Sequence, residues 1–516
     1  MRDRARAGKG VVAIAVGLTA LLATDAAMAA PNGGPGGHGG HGSTVGDPGA
    51  GDAYFPFAGN GGYDVRHYDL ALDYQLPAPA PAPLVGQLSG VATIDLTATQ
   101  DLDRFNLDLR GLDVQAVEVD GKQLRELAAP PAATAGRGGS SGHGNSNGAY
   151  WQVQDDAARI WELTIQPRSR IRDGRRVRVE VTYGGATTRP TDIEDALYGW
   201  VTTRDGAMVV NEPEGAMTWF PVSDHPTDKA TYDFAITVPE GKVAVANGLP
   251  SRRPRTRDGR TTWYWHAPDE QASYLATASV GDYELRRTTT DRGLPIIDAV
   301  DDALTPANRT RTDASLALQA DMIAFLEDTF VPYPFNSFGS IVDDDSVGYA
   351  LETQTRPVYS RVASESTVLH EMAHQWFGDA VSPERWQDIW LNEGWATYTE
   401  WMWSEHTGGD TAQASFDAVM ATPADDEFWQ LTIADPGPLG LFHRAIYDRG
   451  AATLHALRLE IGDAAFFSGA RRWLQRFDDS TGTTEDFQRT YERAAHRDLD
   501  AFFDTWLRTP TKPAIG

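Results

Sequence analysis

The chain has 516 residues, 41% hydrophobic and 23% charged, with no cysteine and a formal net charge of −27. That acidity repels phosphates and argues against a nucleic-acid binder, while the missing cysteines exclude disulfides, thiolate-bound metals and a thiol nucleophile. The hydrophobic share is that of a packed globular protein, and at roughly 100–200 residues per domain the length predicts two to four domains.

Arg2, Arg4, Arg6 and Lys9 precede an apolar run from Val11 to Ala23, and Ala27-Met28-Ala29 follows as a small-x-small cleavage site. This is the pattern of a secretory signal peptide over residues 1–29, and the run is shorter than the ~20 residues a bilayer span needs. The expected product is exported and soluble, with no membrane contact after cleavage. Residues 30–62 are rich in glycine and read as a disordered linker.

From Tyr63 to about 290 the pattern is strand after strand. Tyr68, Leu70, Leu72, Tyr74 and Leu76 alternate with polar residues, as do Val177, Val179, Val181 and Tyr183, and Tyr232, Phe234, Ile236 and Val238. Period-two alternation broken by turns such as Asp173-Gly174 and Asp258-Gly259 predicts an antiparallel β-rich domain over 63–290. A low-complexity stretch at 128–148 reads as a disordered loop within it.

After about residue 300 the period becomes helical. Leu318, Met322, Phe325, Leu326 and Thr329 recur at helix spacing up to Pro332, and segments 364–377, 392–407, 450–461, 463–477 and 498–507 also read as helices. The chain is therefore predicted to be multidomain, a β-rich half followed by a mainly α half over 291–516.

The chemistry sits in "STVLHEMAHQWFGD" and "WLNEGWATYTEW". His370 and His374 are four apart, so on a helix both imidazoles lie on one face, where they can grip one ion. Glu371 lies beside them, within reach of water on that ion. Glu393 follows and opens a second helical segment. Two imidazoles and one carboxylate make a three-ligand zinc site with a position left for water. Glu400, seven residues after Glu393 and on nearly the same helical face, is a candidate to hydrogen-bond the far nitrogen of a ligand histidine, with Asp388 as the alternative.

These segments resemble the aminopeptidase N family of zinc metallopeptidases, whose motif is HExxH, 18 residues, then Glu within an Asn-Glu-Gly-Phe-Ala-like run; here that run is Asn392-Glu393-Gly394-Trp395-Ala396. The resemblance covers about residues 63–510. It implies a thermolysin-like (gluzincin) catalytic domain, one Zn2+ per chain on His370, His374 and Glu393, and Glu371 as general base. Tyr447-Asp448-Arg449-Gly450 resembles the family's Tyr-x-Lys-Gly, which makes Tyr447 the hydroxyl that stabilises the tetrahedral intermediate. Gly348-Tyr349-Ala350-Leu351-Glu352-Thr353 occupies the place of Gly-x-Met-Glu-Asn, with Tyr349 for Gly and Thr353 for Asn, and puts Glu352 on the substrate's free α-amine. "NEPEGAMTWFPVSDHP" puts Glu212 at a second amine-binding position, with Glu214 as its competitor. The chain stops close behind the catalytic domain, so the family's large helical C-terminal domain is expected to be missing. The implied activity is a secreted aminopeptidase acting on peptides with a free N-terminus. An endopeptidase, another amide or epoxide hydrolase, or a catalytically silent binding protein on the same scaffold is the alternative.

Overall fold

The computed structural model describes residues 44–130 and 147–514. The expected signal peptide, the first part of the expected linker and most of the 128–148 loop lie outside the described residues.

The alternating segments form the strands they predict. Tyr63–Gln75, Gly86–Ala98, Arg176–Thr187, Ala230–Pro239 and Arg260–Gln271 lie in one nine-stranded sheet. Tyr68, Leu70, Leu72 and Tyr74 point to the buried face, as do Val177, Val179, Val181 and Tyr183, and Tyr232, Phe234, Ile236 and Val238. The opposite face carries charged pairs such as Arg178 with Asp95, so each strand is half wet and half dry. Within this sheet one pairing departs from the antiparallel expectation: Tyr63–Gln75 runs parallel to Ala230–Pro239. A long excursion joins these two strands instead of a tight turn, so no hairpin fixes their relative direction.

The chain from Thr44 onward forms one compact unit. The expected boundary at 290 falls inside a hairpin, Tyr283–Thr289 against Pro295–Asp301. That hairpin opens a four-stranded sheet continued by Ile341–Asp343 and Val358–Ser360, both paired parallel. Among the described residues the hairpin is followed by α1 (Pro306–Leu316), α2 (Gln319–Thr329), α3 (Glu365–His374), α4 (Trp390–His406), α5 (Ala412–Met420), α6 (Arg444–Ile461), α7 (Asp463–Phe477) and α8 (Thr484–Ala495). The helix expected over 498–507 is one α-turn, Asp500–Phe503, that widens into a π-turn over Asp504–Arg508. The fully buried Arg449 holds this end in place, because its guanidinium donates to the carbonyls of Trp506 (2.9 Å), Thr509 (2.7 Å) and Trp429 (3.1 Å).

The linker expectation fails over 44–62. Phe55 and Ala58 are buried in the core, and Phe55 meets Trp386 edge-on at 6.2 Å. The Asp52 carboxylate accepts from the backbone of Tyr54 (2.7 Å) and of Trp386 (2.9 Å). Asn60 and Gly59 donate to Asp108 at 3.1 and 2.9 Å. Glycine dominates the average composition of 30–62, but Phe55 and Ala58 enter the core near its end and Tyr54 packs against it, which orders that end. Phe55→Ala should therefore lower unfolding free energy by about 3 kcal/mol in a denaturant titration; a true linker residue would change it by less than about 0.5 kcal/mol.

Candidate metal centre

Helix α3 starts at Ser364, whose hydroxyl accepts from the Thr367 N–H at 3.3 Å. It carries His370 and His374 one turn apart, with ring centroids at 4.8 Å. The chain reverses after α3 through Gly378, where φ is +138°, a conformation side chains rarely adopt. It then enters α4, whose first turn holds Glu393. One Glu393 oxygen lies 3.1 Å from Nε2 of His370 and 3.4 Å from Nε2 of His374.

The outer nitrogens settle the tautomers. His374 Nδ1 faces the Phe377 carbonyl at 3.1 Å, which only accepts, so Nδ1 carries the proton. His370 Nδ1 likewise donates to Glu400 at 2.7 Å. In the neutral rings both Nε2 atoms are then bare acceptors aimed at a third acceptor, and the three ligand atoms lie within 4.8 Å of one another. Such a group needs positive charge at its centre. Burial opposes a charge on His374, yet the Glu352 and Glu393 carboxylates outweigh it and raise its pKa to about 9. Burial also opposes ionisation of Glu393, yet His374 and His370 hold its pKa at about 2. The donor set, two nitrogens and one carboxylate, is the one that zinc takes in catalytic sites.

Glu400, not Asp388, reaches the ligand histidine. Asp388 accepts from the Thr484 N–H (3.0 Å) and hydroxyl (2.6 Å) and from Arg385 (3.0 Å), tying the start of α8 to the turn before α4.

A cavity of about 390 Å3 opens over the ligands. Glu371 projects into it; burial raises its pKa to about 8, with His370 and His374 pulling the other way. Tyr447 lies in the first turn of α6, which begins six residues earlier than predicted, and its ring stacks on His370 at 6.0 Å. Helices α4 and α6 cross where Gly394 meets Gly450: a Cβ on Gly394 would sit 3.0 Å from the Gly450 Cα. That close pass brings Glu393 and Tyr447, one residue and three residues away from the crossing, onto the same cavity.

Glu352 and Glu212 line the cavity as well, each buried with an oxygen that has no hydrogen-bond partner. One oxygen of Glu352 lies within 4.8 Å of ligating atoms of Glu371 and His374. Glu214 faces away and pairs with Arg159. Tyr349 lines the cavity and donates its hydroxyl to Leu197 O at 2.7 Å, whereas Thr353 donates to Arg356 O at 2.6 Å and is not part of the lining.

Two positioning residues escaped the sequence reading. Gln375 donates to the Glu352 carbonyl (3.1 Å) and accepts from the Thr355 N–H (2.7 Å), which clamps the Glu352 segment onto α3. Asn211 donates to Ala276 O (2.5 Å) and accepts from Trp219 Nε1 (3.0 Å), which fixes the backbone beside Glu212.

A family model described as the peptidase M1 N-terminal domain matches residues 65–275, and one described as the peptidase family M1 domain matches residues 336–506. The chain belongs to the M1 peptidase family. It is 27% identical over 325 residues to aminopeptidase N of Lactococcus lactis subsp. lactis, covering 58% of this chain and 38% of that protein. It is 26% identical over 352 residues to glutamyl aminopeptidase of Rattus norvegicus, covering 62% of this chain and 36% of that protein. The chain thus spans little more than a third of the length of these curated relatives. An M1 zinc metallopeptidase from Deinococcus radiodurans, solved as a crystal structure, is 27% identical with a TM-score of 0.77 and covers 90% of this chain and 98% of that one. A mutant of that enzyme bound to a Tyr-Ser-Ala substrate matches with the same score. The M1 neighbours have the same β-rich region followed by a helical catalytic region.

Glu400→Gln should weaken zinc affinity about 10- to 100-fold, read by competition with a chromogenic chelator, because the His370 Nδ1 proton loses its charged acceptor. Asp388→Asn should leave zinc affinity unchanged and lower the melting temperature instead.

Proposed function

We propose that this M1 family member is a zinc-dependent aminopeptidase, with one zinc per chain, that removes N-terminal residues from peptides. The observation that carries this reading is the charge of the cavity. Among the described residues that line it there is no lysine or arginine, and Glu352 and Glu212 each bring a buried, unpartnered carboxyl oxygen to it. Such a pocket favours a cationic group, and the free α-ammonium of a peptide is the one that every unblocked N-terminus carries. The relatives named as aminopeptidases support the same class.

His370, His374 and Glu393 would hold zinc, whose chemistry is to act as a Lewis acid on water and on a substrate carbonyl. Glu371 accepts the proton of the attacking water as its oxygen adds to the first peptide carbonyl carbon, and burial already strengthens its hold on a proton. When the C–N bond breaks, Glu371 delivers that proton to the departing amine. Tyr447 donates a hydrogen bond to the carbonyl oxygen as negative charge grows on it. Glu352, with Glu212, pairs with the N-terminal ammonium and so places the scissile bond one residue in.

Export follows in this proposal from the signal pattern over residues 1–29. Among the described residues no helix is long and apolar enough to cross a membrane. The partners are peptides with a free N-terminus, and the net charge of −27 speaks against nucleic acid.

Aminoacyl-anilides with a free amine should be hydrolysed and their N-acetylated counterparts should not. Equal cleavage of the blocked substrates would replace this reading with the endopeptidase one. Glu371→Gln should lower kcat about 10²- to 10⁴-fold while zinc content is retained; unchanged kcat would remove Glu371 from the mechanism.

A further inference from the structure

A second group of carboxylates stands far from the zinc ligands in sequence, at one end of the four-stranded sheet. Asp301 ends the strand Pro295–Asp301 and Asp343 ends Ile341–Asp343. These strands are parallel neighbours paired at Val300 and Val342, so both carboxylates emerge at the same sheet end. Asp344 follows directly. One oxygen from each of the three lies within 4.8 Å of the others. Asp301 and Asp343 are fully buried and Asp344 is exposed.

The hydrogen bonds around them do not neutralise this charge. Asp343 accepts from the Asp345 N–H at 2.9 Å and from the Tyr283 hydroxyl. Asp301 uses one oxygen to accept from the Ala303 N–H at 2.6 Å; its other oxygen is buried with no partner. Asp205 and Asp282 add negative charge beside them. Lys242 is spent on those two, at 2.7 Å from Asp282 and 3.7 Å from Asp205. Arg361 acts on Asp344 from farther off. Among the described residues, Asp301, Asp343 and Asp344 form no ion pair with lysine or arginine.

Two buried carboxylates this close, one of them with a bare oxygen, persist only if a proton or a cation joins them. Burial does lift both acids, Asp301 to about 7 and Asp343 to about 8, so a proton is the competing occupant. The arrangement has what a proton does not need, however: a third carboxylate on the solvent side, converging on the same point. All donors are hard oxygens with no imidazole, and the open side leaves room for water to complete a shell, which suits calcium and not zinc.

We propose that Asp301, Asp343 and Asp344 bind a calcium ion, a site separate from the zinc centre. Its place in the chain gives it a role. Asp343 to Asp345 lead directly into the 348–352 segment that presents Glu352. The next residues are already tied down, since Arg189 donates to Asp345 and to the Ser346 carbonyl, both at 3.2 Å. Calcium would anchor the start of that segment to the sheet end.

The test uses the full-length, zinc-loaded protein freed of calcium. Calcium chloride should raise the melting temperature by several degrees and saturate, beyond any effect of sodium or magnesium chloride at matched ionic strength. Terbium should give luminescence sensitised by Tyr283, and calcium should quench it by displacement. Asp344→Asn removes an exposed ligand and so spares the fold; it should weaken calcium binding at least ~10-fold. Asp301→Asn should abolish the response. The proposal is overturned if wild-type protein shows no saturable calcium response, if magnesium or sodium reproduces it, or if Asp344→Asn responds as wild type does.

Discussion

His370 Nε2, His374 Nε2 and a Glu393 oxygen converge within 4.8 Å while both imidazole protons point away from them, to Glu400 and to the Phe377 carbonyl. Three lone pairs facing one another in a dry site repel unless a cation stands between them, and the folding of α3 and α4 onto each other has to sustain that. The surrounding aromatic packing does so. Phe377 and Trp395 stack at 4.4 Å with an 8° interplanar angle, and Phe330 meets both edge-on at 5.0 and 5.6 Å. The end of α3 is thereby pinned to the middle of α4, and the metal ligands inherit that rigidity.

The other groups of the site are placed by reference to the same pair of helices. The Gly394–Gly450 crossing sets Tyr447 on the cavity from α6, and Gln375, the residue after the second ligand histidine, holds the Glu352 segment from α3. Glu352 and Glu212 then add two buried carboxyl groups, whose hold on a proton burial strengthens, to a pocket that already demands a cation at its floor. In the proposed function two cations of different kind would occupy this pocket: a metal on the histidines and an ammonium on the two glutamates. Electrostatic preorganisation of this sort is established at folding and costs no reorganisation when substrate arrives.

The HExxH spacing and the later glutamate were legible in the sequence because helix geometry alone converts a four-residue interval into a shared face. The β alternation was legible for the same reason, through Tyr68 to Tyr74 and Val177 to Tyr183. Three helices were not. Helix α1 starts with a Thr305 cap followed by Pro306, and α5 and α8 start with Thr411 and Thr483 caps. Those cap signals were present but short and polar, and in α8 they stood before a clear helical period of buried Phe487, Thr490 and Tyr491. The choice between Glu400 and Asp388 lay out of reach, since both are carboxylates near α4 and only tertiary packing turns one toward His370 and the other toward Thr484. The ordered stretch 44–62 was hidden because its glycines outnumber its few aromatics, and burial against Trp386 depends on a residue more than three hundred positions away.

The most direct test of the central claim is a zinc titration into chelator-stripped protein, with melting temperature and anilide hydrolysis followed on the same samples. Both should rise together and saturate at one equivalent of zinc, and Glu393→Gln should show neither rise at that stoichiometry. Hydrolysis that survives stripping, or that returns in Glu393→Gln at one equivalent, would contradict that claim.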